Sequence, residues 1–135
     1  MSSQVRDPAD VEGPLRASLP HVFAGGVLGA AARILLLHAP GMDEWLGVLL
    51  ANLAGAFALG LLFERLAEHR VRRSSTWAFW GPGVLGAFTT FSALALLTAD
   101  ELRHGAWASG GLYLLGSIAL GLAAARLGCA LGARR

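Results

Sequence analysis

Four apolar stretches take up most of this chain, and they constrain its fold more than any other feature. They cover residues 22–38, 45–63, 77–99 and 106–125. The first holds a single charge, Arg33, and the other three hold none. A helix that crosses a bilayer needs roughly 20 mostly apolar residues, because it rises about 1.5 Å per residue through a core about 30 Å thick. Each stretch meets that requirement. The connections, near residues 40–44, 64–76 and 100–105, are too short to hold a soluble domain. The expectation is an all-α integral membrane protein whose four transmembrane helices form one unit over residues 21–128. Residues 1–20 contain Pro8, Pro14 and Pro20 among mixed charges and read as a disordered tail. Residues 129–135 read as a short basic tail. The N-terminal segment does not resemble a secretory signal, since acidic residues precede the apolar stretch.

Composition agrees. Charged residues make up 15% of the chain, against about 25% in a soluble domain, too few to cover a water-facing surface. The apolar content is far too high for a disordered chain. Cys129 is the only cysteine, so no disulfide framework exists. The formal net charge of +2 is too small to suggest nucleic-acid binding.

Glycines are frequent within the apolar stretches, where they let helices approach closely. The third stretch goes further. Gly81-Pro82-Gly83, followed by Gly86, puts helix breakers near mid-membrane, because Pro82 lacks an N–H and clashes with the preceding turn. Backbone groups freed in hydrocarbon need partners, so a break is tolerated where it is buried or lines a polar cavity. Broken helices of this kind also build ion sites from backbone carbonyls. Phe88-Thr89-Thr90-Phe91-Ser92 comes directly after, with three hydroxyls and two rings in five residues. Asn52 sits in the second stretch. Ser109, Tyr113 and Ser117 follow one another at i, i+4, i+8 in the fourth, so they share one helix face. Spacing alone leaves that face open to two readings, a polar track or hydrogen-bonding glue between helices.

No Asp, Glu, Lys or His lies well inside a stretch, which argues against a proton-coupled exporter. Arg33 is the only deep charge, within reach of the end of its stretch by snorkelling. Nothing resembles a hydrolytic or redox constellation, so an enzyme is not expected. Uncharged O–H and N–H donors suit the passage of a small anion, since they replace its water without holding it as a fixed cation would. The positive ring edge of Phe91 fits the same task.

These residues resemble a known family. Gly25-Gly26-Val27-Leu28-Gly29-Ala30-Ala31-Ala32-Arg33 is similar to the first-helix signature of the Fluc/CrcB fluoride channels. Asn52-Leu53-Ala54-Gly55 resembles their second-helix motif, and Gly86-Ala87-Phe88-Thr89-Thr90-Phe91-Ser92 their most distinctive stretch. Tyr113 with Ser117 resembles their fourth-helix polar track. The likeness runs over residues 22–128. It implies a four-helix subunit in an antiparallel dimer that carries fluoride passively out of the cytoplasm. It further implies a structural Na⁺ at the dimer centre, held by the backbone carbonyls of Gly86 and Thr89. Asn52, Phe91, Tyr113 and Ser117 would line the pore, and Arg33 would stand near a vestibule. The chain departs from the family pattern at Leu94, Gly121, Val48 and Leu97, where an aromatic, two polar residues and a carboxylate are usual.

Charge placement bears on orientation. Nine of the eleven arginines fall in the two termini and the second connection, which share one side of a four-span protein. The positive-inside rule puts that side in the cytoplasm, in the plasma membrane. An antiparallel homodimer needs one chain to insert both ways. The bias therefore points to a paralogous partner subunit, with self-pairing as the alternative. Two other readings remain from sequence: a non-conducting structural partner of a paralogue, and a small multidrug-type exporter.

Overall fold

The computed structural model describes residues 8–66 and 75–133. Among these residues every regular element is helical. Helix α1 spans Pro8–Leu37, α2 Glu44–Arg65 and α3 Ser75–Ala78. A π-helical segment, Phe79–Leu85, continues α3 and leads into α4, Gly86–Phe88. Helix α5 spans Phe91–Arg103 and α6 Trp107–Gly132. Four runs are long and apolar enough to cross a membrane: Ala17–Leu37, Glu44–Arg65, Ser75–Arg103 and Trp107–Gly132.

Two end segments differ from the sequence expectation. Residues 8–20, expected as disordered tail, are the first turns of α1. Pro8 opens that helix where no intrahelical N–H is required. Pro14 and Pro20 each remove one rung of the ladder without ending it. At the other end α6 continues to Gly132, so residues 129–132 are helix rather than tail. Residues 1–7 and the terminal Arg134 and Arg135 lie outside the described residues.

The short connections have simple local causes. Gly41 and Gly105 adopt φ of 77° and 78°, the left-handed region that only glycine enters freely. Asp43 caps α2, its Oδ2 accepting from the Leu46 N–H at 3.2 Å. Glu44 and Arg65 then complement the dipole at the two ends of α2.

Glycines set how the runs pack. Helix α1 lies against the π-helical segment, where a methyl group at Gly25 would strike the Phe79 carbonyl and one at Gly29 the Val84 carbonyl. Helix α2 crosses α6 in the same manner, through Gly60 against Ala125 and Gly128 against Phe57. With no hydrophobic drive inside lipid, such close backbone approach is what dispersion forces need. Among the described residues, an apolar cluster of large buried side chains joins Val48, Leu94 and Leu97, which are 1%, 4% and 9% exposed. Leu37, Trp45, Ala93, Tyr113 and Leu114 pack around it. Large apolar side chains such as Phe23, Leu35 and Leu112 face outward, as suits a surface turned to lipid or to another subunit.

Candidate ion pathway at a broken helix

The third run is interrupted, as its sequence predicts, but not at its proline. Gly81-Pro82-Gly83 is absorbed into the π-helical segment. There the Gly86 N–H reaches back five residues to the Gly81 carbonyl. The wider turn gives the proline ring room and lets α1 close on Gly83. The interruption comes at Thr89 and Thr90, whose ψ angles of 156° and 114° are extended. Thr90 then caps α5, its Oγ1 accepting from the Ala93 N–H at 3.2 Å.

Asn52 accounts for the break. Its Nδ2 donates to the Thr90 carbonyl at 3.0 Å, and its Oδ1 accepts from the Thr90 N–H at 2.7 Å. A side-chain amide carries one acceptor and two donors, so it matches the backbone N–H and C=O of a single residue. The Thr90 amide would otherwise close the next helical turn on the Gly86 carbonyl. With that donor taken, the Gly86 oxygen is released, and Gly86 lies on an open face of the subunit. The Thr89 hydroxyl turns back to the Leu85 carbonyl at 3.1 Å.

Arg33 reaches the same place. The sequence allowed its side chain to snorkel to the end of its helix. Instead Nη1 donates to the Thr89 carbonyl at 3.2 Å. Parallel packing of α1 on the third run explains this: Gly25 meets Phe79 and Gly29 meets Val84, so Arg33, one turn on, meets Thr89. A guanidinium held at the break satisfies one freed carbonyl and puts a positive charge midway along the third run.

The residues fit a hard monovalent cation to the extent that carbonyl oxygens are its natural ligands. The Gly86 oxygen has lost its helical donor. The Thr89 oxygen has two lone pairs and gives one to Arg33, leaving one for a cation.

The remaining candidates are placed in two groups. Tyr113 and Ser117 share one face of α6. The Tyr113 hydroxyl donates to the Trp45 carbonyl at 3.0 Å, and the two rings meet edge to face with centroids 4.4 Å apart. Ser117 is 7% exposed, and its hydroxyl has no hydrogen-bond partner. Phe91 follows Thr90 directly but projects away from the subunit, 71% exposed. Within one subunit these residues are held by two sets of contacts. Asn52 and Phe91 belong to the break, and Tyr113 and Ser117 to the face of α6.

Sequence reasoning missed Trp45, which closes over Tyr113, and the role of Thr90 as helix cap. The Thr-x-x-Ala spacing before an apolar run was the available sign of the cap. Three departures from the family pattern, Val48, Leu94 and Leu97, turn out to be the apolar cluster beside Tyr113.

Comparison with known proteins places the chain. Residues 21–129 match the family described as CrcB-like protein, Camphor Resistance (CrcB). A "Fluoride-specific ion channel FluC 2" of Rubrobacter xylanophilus is 45% identical over 140 residues, covering 90% of this chain and 87% of the relative. A protein of the same name from Leifsonia xyli is 44% identical, covering 83% and 81%. The "Fluoride-specific ion channel FluC" of Phenylobacterium zucineum is 41% identical, covering 84% and 93%. With four membrane-crossing runs, a helix broken at Thr89 and Thr90, and these relatives over most of its length, the chain belongs to the CrcB family of ion channels and is not an enzyme.

Proposed function

We propose that this protein is a fluoride channel subunit that lets the ion run passively out of the cytoplasm. The observation that carries the reading is the Ser117 hydroxyl, buried and without a partner on the face that Tyr113 shares. A buried polar group left unpaired costs about 1–3 kcal/mol, so its retention fits a ligand that comes and goes. An O–H donor replaces the water of a small anion without trapping it. Asn52 holds the break open beside Phe91, whose ring edge offers further positive character. Arg33 supplies the positive vestibule behind them. The absence of Asp, Glu, Lys and His deep within the spans suits passive flow rather than proton exchange. Expression of this chain, alone and together with a paralogous subunit, in a bacterium lacking its own fluoride channel tests the reading. Growth in millimolar fluoride should be restored, and a strain that stays as sensitive as before would count against it.

The open face at Gly86 supports an antiparallel pairing of subunits. Two subunits in opposite orientation would bring their Gly86 and Thr89 carbonyls to one axis, where a structural Na⁺ would hold them. Such a cation supplies charge to the released Gly86 oxygen and to the lone pair of the Thr89 oxygen that Arg33 leaves free. Replacing Na⁺ by N-methylglucamine during purification should lower the dimer's melting temperature and slow fluoride movement, read by light scattering and a fluoride electrode. Unchanged values in both would remove the cation from the account.

Both termini lie in the cytoplasm of the plasma membrane on this reading, because the arginines concentrate on their side. The partner is then a paralogous subunit inserted the other way. It would supply polar and aromatic groups where this chain has Val48, Leu94, Leu97 and Gly121. A C-terminal cysteine tag should react only with reagent that reaches the cytoplasm. Equal labelling from both sides would restore a dual-topology homodimer.

A further inference from the structure

The connections at 38–43 and 104–106 lie at one end of the bundle, and the polar face of α6 begins there. Ser109 begins the face that continues through Tyr113 to Ser117. Accessibility falls along that face, from exposed Ser109 through half-buried Tyr113 to buried Ser117. Ser109 is therefore where the face opens to water.

Its hydroxyl is already occupied. The Ser109 Oγ donates to Glu101 Oε2, and the Ala106 carbonyl stands 3.1 Å away as a second acceptor. A serine has one O–H proton, and both neighbours compete for it. The turn holds Glu101 there. The Ala106 N–H donates to the Glu101 carbonyl at 3.0 Å, and Gly105 turns the chain at φ 78°. Gly110 allows the close seat: a methyl group there would stand 3.1 Å from the Glu101 Cβ. Helix α6 has no side-chain cap of its own, because Ala106 precedes it. Glu101 thus lies over the positive end of a 26-residue helix.

An anion leaving along this face would seek the same two things, the Ser109 O–H and the helix end. We propose that the Glu101 carboxylate is a tethered anion that occupies the outer end of the Ser109–Tyr113–Ser117 face and limits anion passage there. The inference rests on the fluoride-channel reading. Glu101 acts through Ser109 and is a positioning residue. The surrounding charges reinforce it. Asp43 caps α2 and Glu44 begins it at this end, Asp100 lies 3.7 Å from the His104 ring, and Arg103, the last residue of α5, is the arginine beside the second connection.

The test compares initial fluoride efflux from liposomes holding the conducting assembly with native, E101Q, S109A and doubly substituted chains. Glutamine keeps the shape and an acceptor for Ser109 but removes the charge. Efflux by E101Q should rise about fivefold, as loss of like-charge repulsion at a narrow mouth requires. In the S109A background the same change should give no gain, because the carboxylate has lost the side-chain partner that holds it at the mouth. A native or slower rate from E101Q protein that elutes as a normal assembly would overturn the proposal and leave Glu101 as a cap for α6. An equal gain with and without Ser109 would also overturn it. Native assembly that moves no fluoride would defeat the channel reading itself, a result read before any variant is compared.

Discussion

Asn52→Asp should lower fluoride movement by at least about a hundredfold, a barrier increase of about 2.7 kcal/mol. Asparagine pairs with both the N–H and the carbonyl of Thr90. Aspartate keeps the acceptor and loses the donor. Ionised, it sets a negative charge against the Thr90 carbonyl and across the path of an anion. Like-charge repulsion in a poorly screened site amounts to several kcal/mol. Either effect alone would account for the loss. A fluoride electrode reading on proteoliposomes decides it, with protein recovery checked by gel filtration. Efflux within a factor of about three of the native rate would show that neither the clamp nor the site is needed.

Gly29→Val should prevent the subunit from folding, or lower its melting temperature by about 10 °C or more. The first atom of the new side chain would fall on the Val84 carbonyl, which is backbone and has nowhere to move. Helix α1 would be pushed off the π-helical segment. Arg33, one turn further along the same face, would then lose the Thr89 carbonyl. The cost belongs to the overpacking class, typically 1–3 kcal/mol and more where backbone is struck. Gly26→Val is the matched control, since nothing lies within 4 Å of that position. Its subunit should melt like the native one. Equal behaviour of the two variants would show that close packing of α1 on the third run does not hold the fold.

Much of this was legible in the sequence, for physical reasons. Span number and order follow from apolar length, which the bilayer fixes without help from tertiary contacts. The existence of a break followed from glycine and proline within a span. Its place did not. A proline can be absorbed by widening the turn, as Pro82 is, whereas the break needs a partner able to take over a peptide's hydrogen bonds. That partner, Asn52, lies 38 residues from Thr90, and its aim is set by how α2 crosses the third run. Arg33 is similar. Its freedom to snorkel was real in the isolated helix, and the glycine contacts of α1 removed it.

The face of α6 divides the same way. Four-residue spacing puts Ser109, Tyr113 and Ser117 in line, but it does not tell which hydroxyl is spent. Tyr113 bonds Trp45 and Ser109 is held by Glu101, while Ser117 stays unpaired. Only the packed structure separates the three. It also shows what the departures from the family pattern do instead. Val48, Leu94 and Leu97 bury one another and give the subunit its apolar centre.

On this reading fluoride crosses passively through the assembly this chain forms. It is tested most directly by the reversal potential of the current in a planar bilayer, with unequal fluoride on the two sides and chloride varied independently. A fluoride channel gives a current whose reversal potential follows the fluoride ratio, about 59 mV per tenfold at 25 °C, and ignores chloride and pH. A reversal potential that tracks chloride or the proton gradient, or bilayers that stay silent with the assembly present, would contradict the account.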